Sequence, residues 1–213
     1  MLIEGINVSY LGHSCIKLKN GIVIYIDPYA VYDEEKADLI LVSHSHAENC
    51  SLDDIEKLSK DETVIIAASS CKNTLEQLSN FRERKIKYLK AGEQFKIFGV
   101  IVVTTEAYNT DLEKRYHLRG LGNGYVIEAG DKRIYFAGHT ELVGETRELL
   151  ARVGWIDLAF VPVNKTDTMD AEEAAQFCDT IKPKVVVPIH HEMHSNDVYE
   201  FKQLVSTAKV VVL

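Results

Sequence analysis

Short apolar segments alternate with polar turns and amphipathic segments along the whole chain. The segments Ile16–Lys19 and Ile22–Ile26 predict two strands, and the Asn20-Gly21 dipeptide between them favours a hairpin because both residues tolerate positive φ. A helix is predicted after Ser51, a good N-cap residue, because apolar residues then recur at three-residue steps. Hairpins therefore come first and strand–helix units follow.

The second half repeats this order. A hairpin is predicted at Gln94–Phe98 and Val100–Thr105, and the clearest helix begins at Asp170, where Glu173 completes a capping box. Two sheets with helices outside them accommodate hairpins followed by strand–helix units in both halves. Without a Pro/Gly-rich linker, the sequence predicts a single α/β domain over residues 1–213. The long polar segment from residue 107 to residue 123 has no clear period, which is typical of a functional loop.

Composition excludes several classes of function. The chain has 24 Lys and Arg against 32 Asp and Glu, a formal net charge of −8, so we expect neither nucleic acid nor an anionic membrane as a partner. No apolar run approaches the roughly 20 residues that span a bilayer, and the first residues do not resemble a signal peptide. The four cysteines lack CxxC spacing, which predicts reduced thiols and a cytoplasmic protein.

Several histidines directly follow predicted strands. His44 and His46 come after Leu39–Val42, and His139 and His190 follow later strands. Groups beyond the carboxyl ends of strands converge on one crevice in α/β proteins, and neutral imidazole is the commonest nitrogen ligand of zinc. The sequence therefore favours a metal site at these four residues, although a single strand-end histidine is more often a surface residue or supports a ligand.

A carboxylate, Asp27, also ends an apolar strand. It could accept the second N–H of a ligand imidazole and so fix the tautomer of that ring. The equal alternative is a strand-terminating turn formed with Pro28.

Several short segments occur in a fixed order along the chain: Tyr10-Leu11-Gly12-His13-Ser14, Ile26-Asp27-Pro28, residues 43–49, residues 106–109 with His117, Phe136-Ala137-Gly138-His139-Thr140, residues 168–174 and Pro188-Ile189-His190. In this order they resemble the metallo-β-lactamase superfamily. Within it, the chain looks like a branch of metal-dependent hydrolases related to L-ascorbate-6-phosphate lactonase, and the resemblance extends over essentially the whole chain. It implies the four-layer αββα sandwich as the fold.

Three positions depart from the family motif. Glu48 stands where the family has Asp, Asn49 where it has His, and His139 where it has the Asp that bridges two metals. We therefore expect one divalent ion rather than two, with zinc first and manganese or iron as alternatives, held by His44, His46, His139 and His190. A second interpretation is a decayed site that binds metal weakly or not at all.

An open-coordinated metal would activate water for hydrolysis of a small ester, lactone or phosphoester. Glu48 is the candidate general base if it is not itself a metal ligand, and its other alternative role is that of a solvated charge. The resemblance implies that the long loop covers the site and that Tyr108, Asn109 and His117 contact substrate. We assign a catalytic role to His117 and substrate binding to the other two and to His13.

Positive charge in the long loop is compatible with an anionic substrate, although such clusters are usually solvated. The residues that carry it are Lys114, Arg115 and Arg119.

The sequence thus predicts a metal-dependent hydrolase with a small-molecule substrate. The alternative is a non-catalytic small-molecule binding or regulatory module, built on a degenerate scaffold of the same family. Nucleic-acid processing is a distant third hypothesis, because the chain lacks a basic surface and an additional domain. The sequence leaves a homo-oligomer open.

Overall fold

The computed structural model describes residues 1–32, 35–79, 84–111, 116–191 and 196–213. The chain divides into two compact units, Met1–Lys90 and Ala91–Leu213. That the whole chain is one domain stays a prediction.

The described residues of the first unit form a seven-stranded sheet in the order of the sequence. Its first four strands pair antiparallel, as the hairpin signals predict, and the last four pair parallel. The parallel strands β5 and β6 are buried at every position, which explains their unbroken apolar sequences. The strands are β1 (Leu2–Ile3), β2 (Ile6–Gly12), β3 (Cys15–Asn20), β4 (Ile22–Ile26), β5 (Leu39–Val42), β6 (Val64–Ala68) and β7 (Lys85–Leu89).

The helices of the first unit cover one face of this sheet. Helix α1 (Leu52–Leu58) begins at Ser51, whose hydroxyl accepts the Asp54 N–H, and buries Ile55 in a core shared with β5 and β6. Helix α2 (Lys72–Leu75) follows a single 3₁₀ turn.

The described residues of the second unit form another seven-stranded sheet, again in the order of the sequence. Strands β8 to β11 pair antiparallel and β11 to β14 pair parallel. The strands are β8 (Gln94–Ile97), β9 (Val100–Ala107), β10 (Gly122–Ala129), β11 (Lys132–Phe136), β12 (Leu158–Pro162), β13 (Val185–Ile189) and β14 (Lys209–Val210).

The second unit carries helices α3 (Thr146–Val153), α4 (Ala171–Ile181) and α5 (Asn196–Leu204) among its described residues. The predicted cap of α4 is confirmed, since Asp170 Oδ1 accepts the Glu173 N–H at 2.8 Å. The apolar stripe of α4 packs in a core with α3 and with Phe201 of α5.

In the described ranges, no helix is both long and apolar enough to cross a membrane. All four cysteines lie in those ranges, and each is buried and free of a disulfide bond.

Candidate metal centre

The carboxyl ends of β4 and β5 bring a carboxylate and an imidazole close together in the first unit. Because the two strands are parallel neighbours, their carboxyl ends share one edge of the sheet. Asp27, which follows β4, accepts the Ser43 N–H through Oδ1 at 2.7 Å and the Ser43 hydroxyl through Oδ2 at 2.5 Å. Asn49 Nδ2 donates to the same Oδ2 at 3.0 Å. One buried carboxylate thus joins the segments that follow two adjacent strands.

Complete burial controls the acidity of Asp27. It raises the pKa of this carboxyl to about 7, although the hydrogen bonds from Ser43 and Asn49 act in the opposite direction. The φ angle of Asp27 is +46°, in the left-handed region that residues other than glycine rarely adopt. Buried acids and strained backbone both concentrate at functional sites, so this position favours a role beyond that of a simple turn.

Ser43 connects this carboxylate to His44. The Ser43 Oγ atom lies 2.9 Å from His44 Nδ1. When Asp27 is ionised, the single hydroxyl proton of Ser43 is donated to the carboxylate, so Oγ accepts from the imidazole. Nδ1 is then the protonated nitrogen of a neutral His44, and Nε2 carries the lone pair. When it is ionised, Asp27 therefore acts on the imidazole through Ser43; a direct contact with a ligand imidazole was one of the two equal alternatives for this residue.

The other candidate residues of the first unit are less buried. The ring centroid of half-buried His46 lies 4.4 Å from that of His44, in an edge-on arrangement. Burial lowers the pKa of His13, and the half-buried carboxylate of Glu48 only partly offsets this effect. His13 is therefore neutral near pH 7. The roles of Glu48 as general base and of His13 in substrate binding stay predictions.

Three buried histidines form a contiguous group among the described residues of the second unit. His139 follows β11, His190 follows β13, and His117 lies in the loop between β9 and β10. The centroid of the His139 ring lies 5.0 Å from that of His117 and 4.2 Å from that of His190. A nitrogen of each outer ring is within 4.8 Å of a nitrogen of His139. The sequence predicted the neighbours His139 and His190 as ligands and His117 as a catalytic residue.

Two backbone features hold this group in place. Gly138 has a φ of +74°, and a Cβ atom there would lie 2.7 Å from the carbonyl oxygen of Asn123. Only glycine fits this approach of β11 to the neighbouring β10, so the residue before His139 is dictated by packing. His190 has a φ of +57°, which is a strained conformation for a residue with a side chain.

His117 is held by Asn109. Asn109 Oδ1 accepts the His117 backbone N–H at 2.9 Å and lies 3.0 Å from His117 Nδ1. Asn109 Nδ2 donates to the Asp167 carbonyl oxygen at 2.9 Å. The predicted substrate contact of Asn109 has not been tested by any of these observations, but its amide already bonds within the protein.

Tyr108 lies in a polar cluster beside Asn109. Its hydroxyl donates to Glu145 Oε2 at 3.0 Å, Arg119 binds Glu145 Oε1, and the Arg119 guanidinium lies 5.3 Å from the centre of the Tyr108 ring. Burial and the Glu145 carboxylate raise the pKa of Tyr108. The other two predicted cations of the loop, Lys114 and Arg115, lie outside the described residues.

Sequence reasoning assigned no role to three residues that support these histidines. Ser43 precedes His44 at a strand end, and this adjacency was an available signal. The almost fully buried Glu141 carboxylate accepts two hydrogen bonds from Thr110, one from the Thr110 backbone N–H and one from the Thr110 hydroxyl. Asp167 Oδ1 lies 3.6 Å from His190 Nδ1, and no local pattern marks it.

The donor chemistry of both units fits a borderline divalent metal. Neutral imidazole is a preferred ligand of zinc, and with Asp27 ionised the hydrogen bond at His44 Nδ1 leaves Nε2 as the nitrogen of that ring that can ligate. The second unit offers adjacent imidazoles from His139 and His190. The residues therefore pass the chemical test for metal binding, and neither the identity nor the number of ions follows from it.

Comparison with known proteins gives a matching family model and a set of similar sequences. Residues 7–190 match the family model of the β-lactamase superfamily domain. A UPF0173 metal-dependent hydrolase from Pyrococcus horikoshii is 31% identical over 226 residues, covering 98% of this chain and 96% of that protein. One from Thermus thermophilus is 32% identical over 198 residues, covering 87% and 84%.

Solved structures agree. A crystal structure from Parabacteroides distasonis, described as a metal-dependent hydrolase, superposes with a TM-score of 0.85 at 28% identity, covering 97% of this chain and 92% of that one. The metallo hydrolase Igni18 from Ignicoccus hospitalis gives a TM-score of 0.79 at 24% identity, covering 98% and 94%. The predicted αββα fold class is confirmed by these similarities.

Proposed function

The chain belongs to the β-lactamase superfamily and, within it, to the UPF0173 metal-dependent hydrolases, and from this membership we propose that it hydrolyses a small anionic ester, lactone or phosphoester. The observation that carries the proposal is the group of three adjacent buried imidazoles in the second unit. A folded protein gains little stability from such a group, because each buried ring needs a hydrogen-bond partner. Metal binding and proton transfer are the functions that imidazoles serve best.

The proposed ligands are those that the sequence predicts: His44 and His46 of the first unit and His139 and His190 of the second. A bound divalent metal would polarise a carbonyl or phosphoryl oxygen and acidify a water molecule. When Asp27 is ionised, His44 Nδ1 donates to Ser43 Oγ, so Nε2 is the nitrogen of that ring that can ligate.

One ion rather than two fits the departures from the family motif. Asn49, which stands at the position of a family histidine, is fully buried and donates to Asp27. Its amide is therefore committed to supporting the loop. His139 replaces the bridging aspartate, and a neutral imidazole offers one lone pair where a carboxylate offers two oxygens. Both changes remove ligands of a second ion.

The residues around the histidines support an anionic substrate. The Arg119 guanidinium lies over the Tyr108 ring and is more than half exposed, with its side chain held by Glu145. A fixed guanidinium can still offer its remaining N–H donors to a carboxylate or phosphate. Glu48 and His117 are the proposed proton acceptors, since a carboxylate or an imidazole beside an activated water molecule can act as its general base.

The test is metal content followed by turnover. We expect about one zinc, manganese or iron per chain by elemental analysis, with loss of that metal in His44→Ala and His139→Ala and retention in the exposed-site control Asn73→Ala. The metal-loaded protein should hydrolyse a lactone or bis(p-nitrophenyl) phosphate, and His44→Ala should not.

Two results would contradict the proposal. A folded protein that carries no ion after incubation with excess zinc, manganese or iron would exclude metal-dependent catalysis. Thermal stabilisation by small anions with no turnover of any ester, lactone or phosphoester would instead support the non-catalytic binding module.

A further inference from the structure

The orientation of the Asn109 side chain is determined by its two neighbours. The backbone N–H of His117 can only donate, so the Asn109 atom 2.9 Å away must be the amide oxygen. The carbonyl oxygen of Asp167 can only accept, so the atom 2.9 Å from it must be the amide nitrogen. These two contacts agree, and a flipped amide would lose both hydrogen bonds.

The orientation of this amide in turn determines the tautomer of His117. Asn109 Oδ1 lies 3.0 Å from His117 Nδ1, and an amide oxygen can only accept. Nδ1 must therefore carry the proton of the neutral ring. The lone pair is then on Nε2, so Nε2 is the atom of His117 that can bind a metal or accept a proton.

Hydrogen bonds also hold the backbone of Asn109 and of the two residues that follow it. The Asn109 N–H donates to the His117 carbonyl oxygen at 2.8 Å, which pairs the two residues across the loop. Glu141 Oε2 accepts the backbone N–H groups of Thr110 and Asp111 at 2.7 and 2.9 Å. Because this acceptor is buried, the segment after β9 has a fixed course, and the amide is placed before any substrate arrives.

The same amide also bonds to the backbone of Asp167, whose carboxylate lies beside His190. Asp167, whose carbonyl oxygen binds Asn109 Nδ2, has its carboxylate Oδ1 3.6 Å from His190 Nδ1. Asn109 therefore links the loop of His117 to the residue beside His190.

We infer that Asn109 is the positioning residue of His117: it holds the neutral ring with its proton on Nδ1 and so makes Nε2 the acceptor atom. This role differs from the substrate contact that the family resemblance implies. The use of Nε2 in hydrolysis rests on the proposed function, but the tautomer assignment does not.

The tautomer can be measured directly in the metal-free protein. Nitrogen-15 NMR of the histidine side chains distinguishes protonated from unprotonated ring nitrogens, and the spectrum of His117→Gln assigns the His117 signals. At a pH where the ring is neutral, we expect the proton on Nδ1 in the wild-type chain and in the control Asn73→Ala. A proton on Nε2 of wild-type His117 would overturn the inference.

Two variants separate positioning from general stability. Asn109→Ala removes both side-chain contacts, so we expect a mixture of tautomers. Asn109→Asp keeps an oxygen facing Nδ1 but sets its other oxygen against the Asp167 carbonyl, so we expect a less stable protein with the wild-type tautomer. An unchanged tautomer in Asn109→Ala would contradict the inference even if that protein is destabilised.

Kinetics then distinguish positioning from substrate contact. If the chain is the proposed hydrolase, Asn109→Ala should lower kcat by about 10- to 100-fold with little change in KM, the range typical of residues that orient a catalytic imidazole. A raised KM with unchanged kcat would show that Asn109 contacts substrate. Absence of turnover in the wild-type protein would count against the proposed function and leave the NMR result to decide this inference.

Discussion

In the first unit Asp38 directly precedes β5 and accepts the Val23 N–H at 2.8 Å and a lysine ammonium at 2.6 Å. In the second unit Asp157 directly precedes β12 and accepts the Arg133 N–H at 2.9 Å and a lysine ammonium at 2.6 Å. Each aspartate also pairs its backbone with the strands on both sides. The two sheets thus share one arrangement at the amino end of a central parallel strand, as well as one strand order.

The carboxyl ends of corresponding strands differ. In the first unit, β4 is followed by Asp27, a carboxylate that supports His44 through Ser43. In the second unit, the corresponding β11 is followed by Ala137, whose backbone N–H bonds to the next strand as that of Asp27 does, and then by Gly138 and His139. A shared backbone plan therefore carries a buried acid in one unit and an imidazole in the other. We therefore expect the amino ends to contribute to stability and the carboxyl ends to carry the proposed chemistry.

The largest expected effect concerns the buried acid. Asp27→Ala removes the acceptor of three hydrogen bonds and leaves the Ser43 N–H and Asn49 Nδ2 buried, so we expect a loss of about 4 kcal/mol in the free energy of unfolding. Glu141→Ala, which removes the buried carboxylate of the second unit, should cost about 2 kcal/mol, because its donors on Thr110 and Asp111 are nearer solvent. Urea denaturation measures both. Equal losses would show that the two carboxylates have the same structural weight.

The sequence could predict the strand-end histidines because position and chemistry coincide there. His44, His139 and His190 each follow an apolar segment, and the carboxyl ends of parallel strands meet at one edge. The contact of Asn109 with His117 was not predictable. The two residues are eight positions apart in a loop without periodicity, and such a separation in sequence does not determine their distance in space.

Local signals also explain which elements were missed. Helix α3 begins after Glu145 with no side-chain cap hydrogen bond, so no start signal marks it. Strand β1 has only two residues and forms by pairing with β2, which no local pattern encodes. Elements fixed by tertiary contacts escape sequence reasoning, whereas capped helices such as α4 do not.

The second largest effect tests Gly138, which precedes His139 beyond the carboxyl end of β11 in the second unit. Gly138→Ala would place a Cβ atom 2.7 Å from the Asn123 carbonyl oxygen in a backbone with positive φ, so we expect a loss of about 3 kcal/mol. The matched control is Gly130→Ala in the β10–β11 turn, where φ is +65° but no atom lies within 4 Å. It should cost only about 1 kcal/mol. Similar losses for the two variants in thermal denaturation would show that φ, rather than the close approach, dictates Gly138.

A smaller effect on stability is expected at Ser43, which connects Asp27 to His44 in the first unit. Ser43→Ala removes the acceptor of His44 Nδ1–H and one donor to Asp27, which should cost about 1–2 kcal/mol and weaken metal binding by about 10- to 100-fold. Ser43→Thr keeps the hydroxyl and should retain the wild-type affinity. Competition with a chelator measures both affinities. Wild-type affinity in Ser43→Ala would show that the tautomer of His44 needs no support.

The smallest effect concerns the paired aspartates, and it appears as a dependence of stability on pH. Burial opposes ionisation of Asp157, but the Lys184 ammonium and the Arg133 N–H outweigh it and lower the pKa of this carboxyl. The pKa of Asp38 is lowered in the same way, by the Lys60 ammonium and the Val23 N–H against the effect of burial. A carboxyl with a lowered pKa in the folded state stabilises the fold above its unfolded pKa of about 4, and this stability is lost as pH falls through the folded pKa.

Replacing either carboxylate with an amide should therefore flatten the loss of stability below about pH 4. The Asp157 side chain is 1% exposed and that of Asp38 is 26% exposed, so solvent screens the Asp38 pair more strongly. Asp157→Asn should remove more of the acid dependence than Asp38→Asn, by less than about 1 kcal/mol. Urea denaturation from pH 3 to pH 7 resolves the difference. A larger change of the acid dependence in Asp38→Asn would mean that the geometry of the lysine contact, rather than the burial of the carboxylate, determines the contribution of each aspartate to stability.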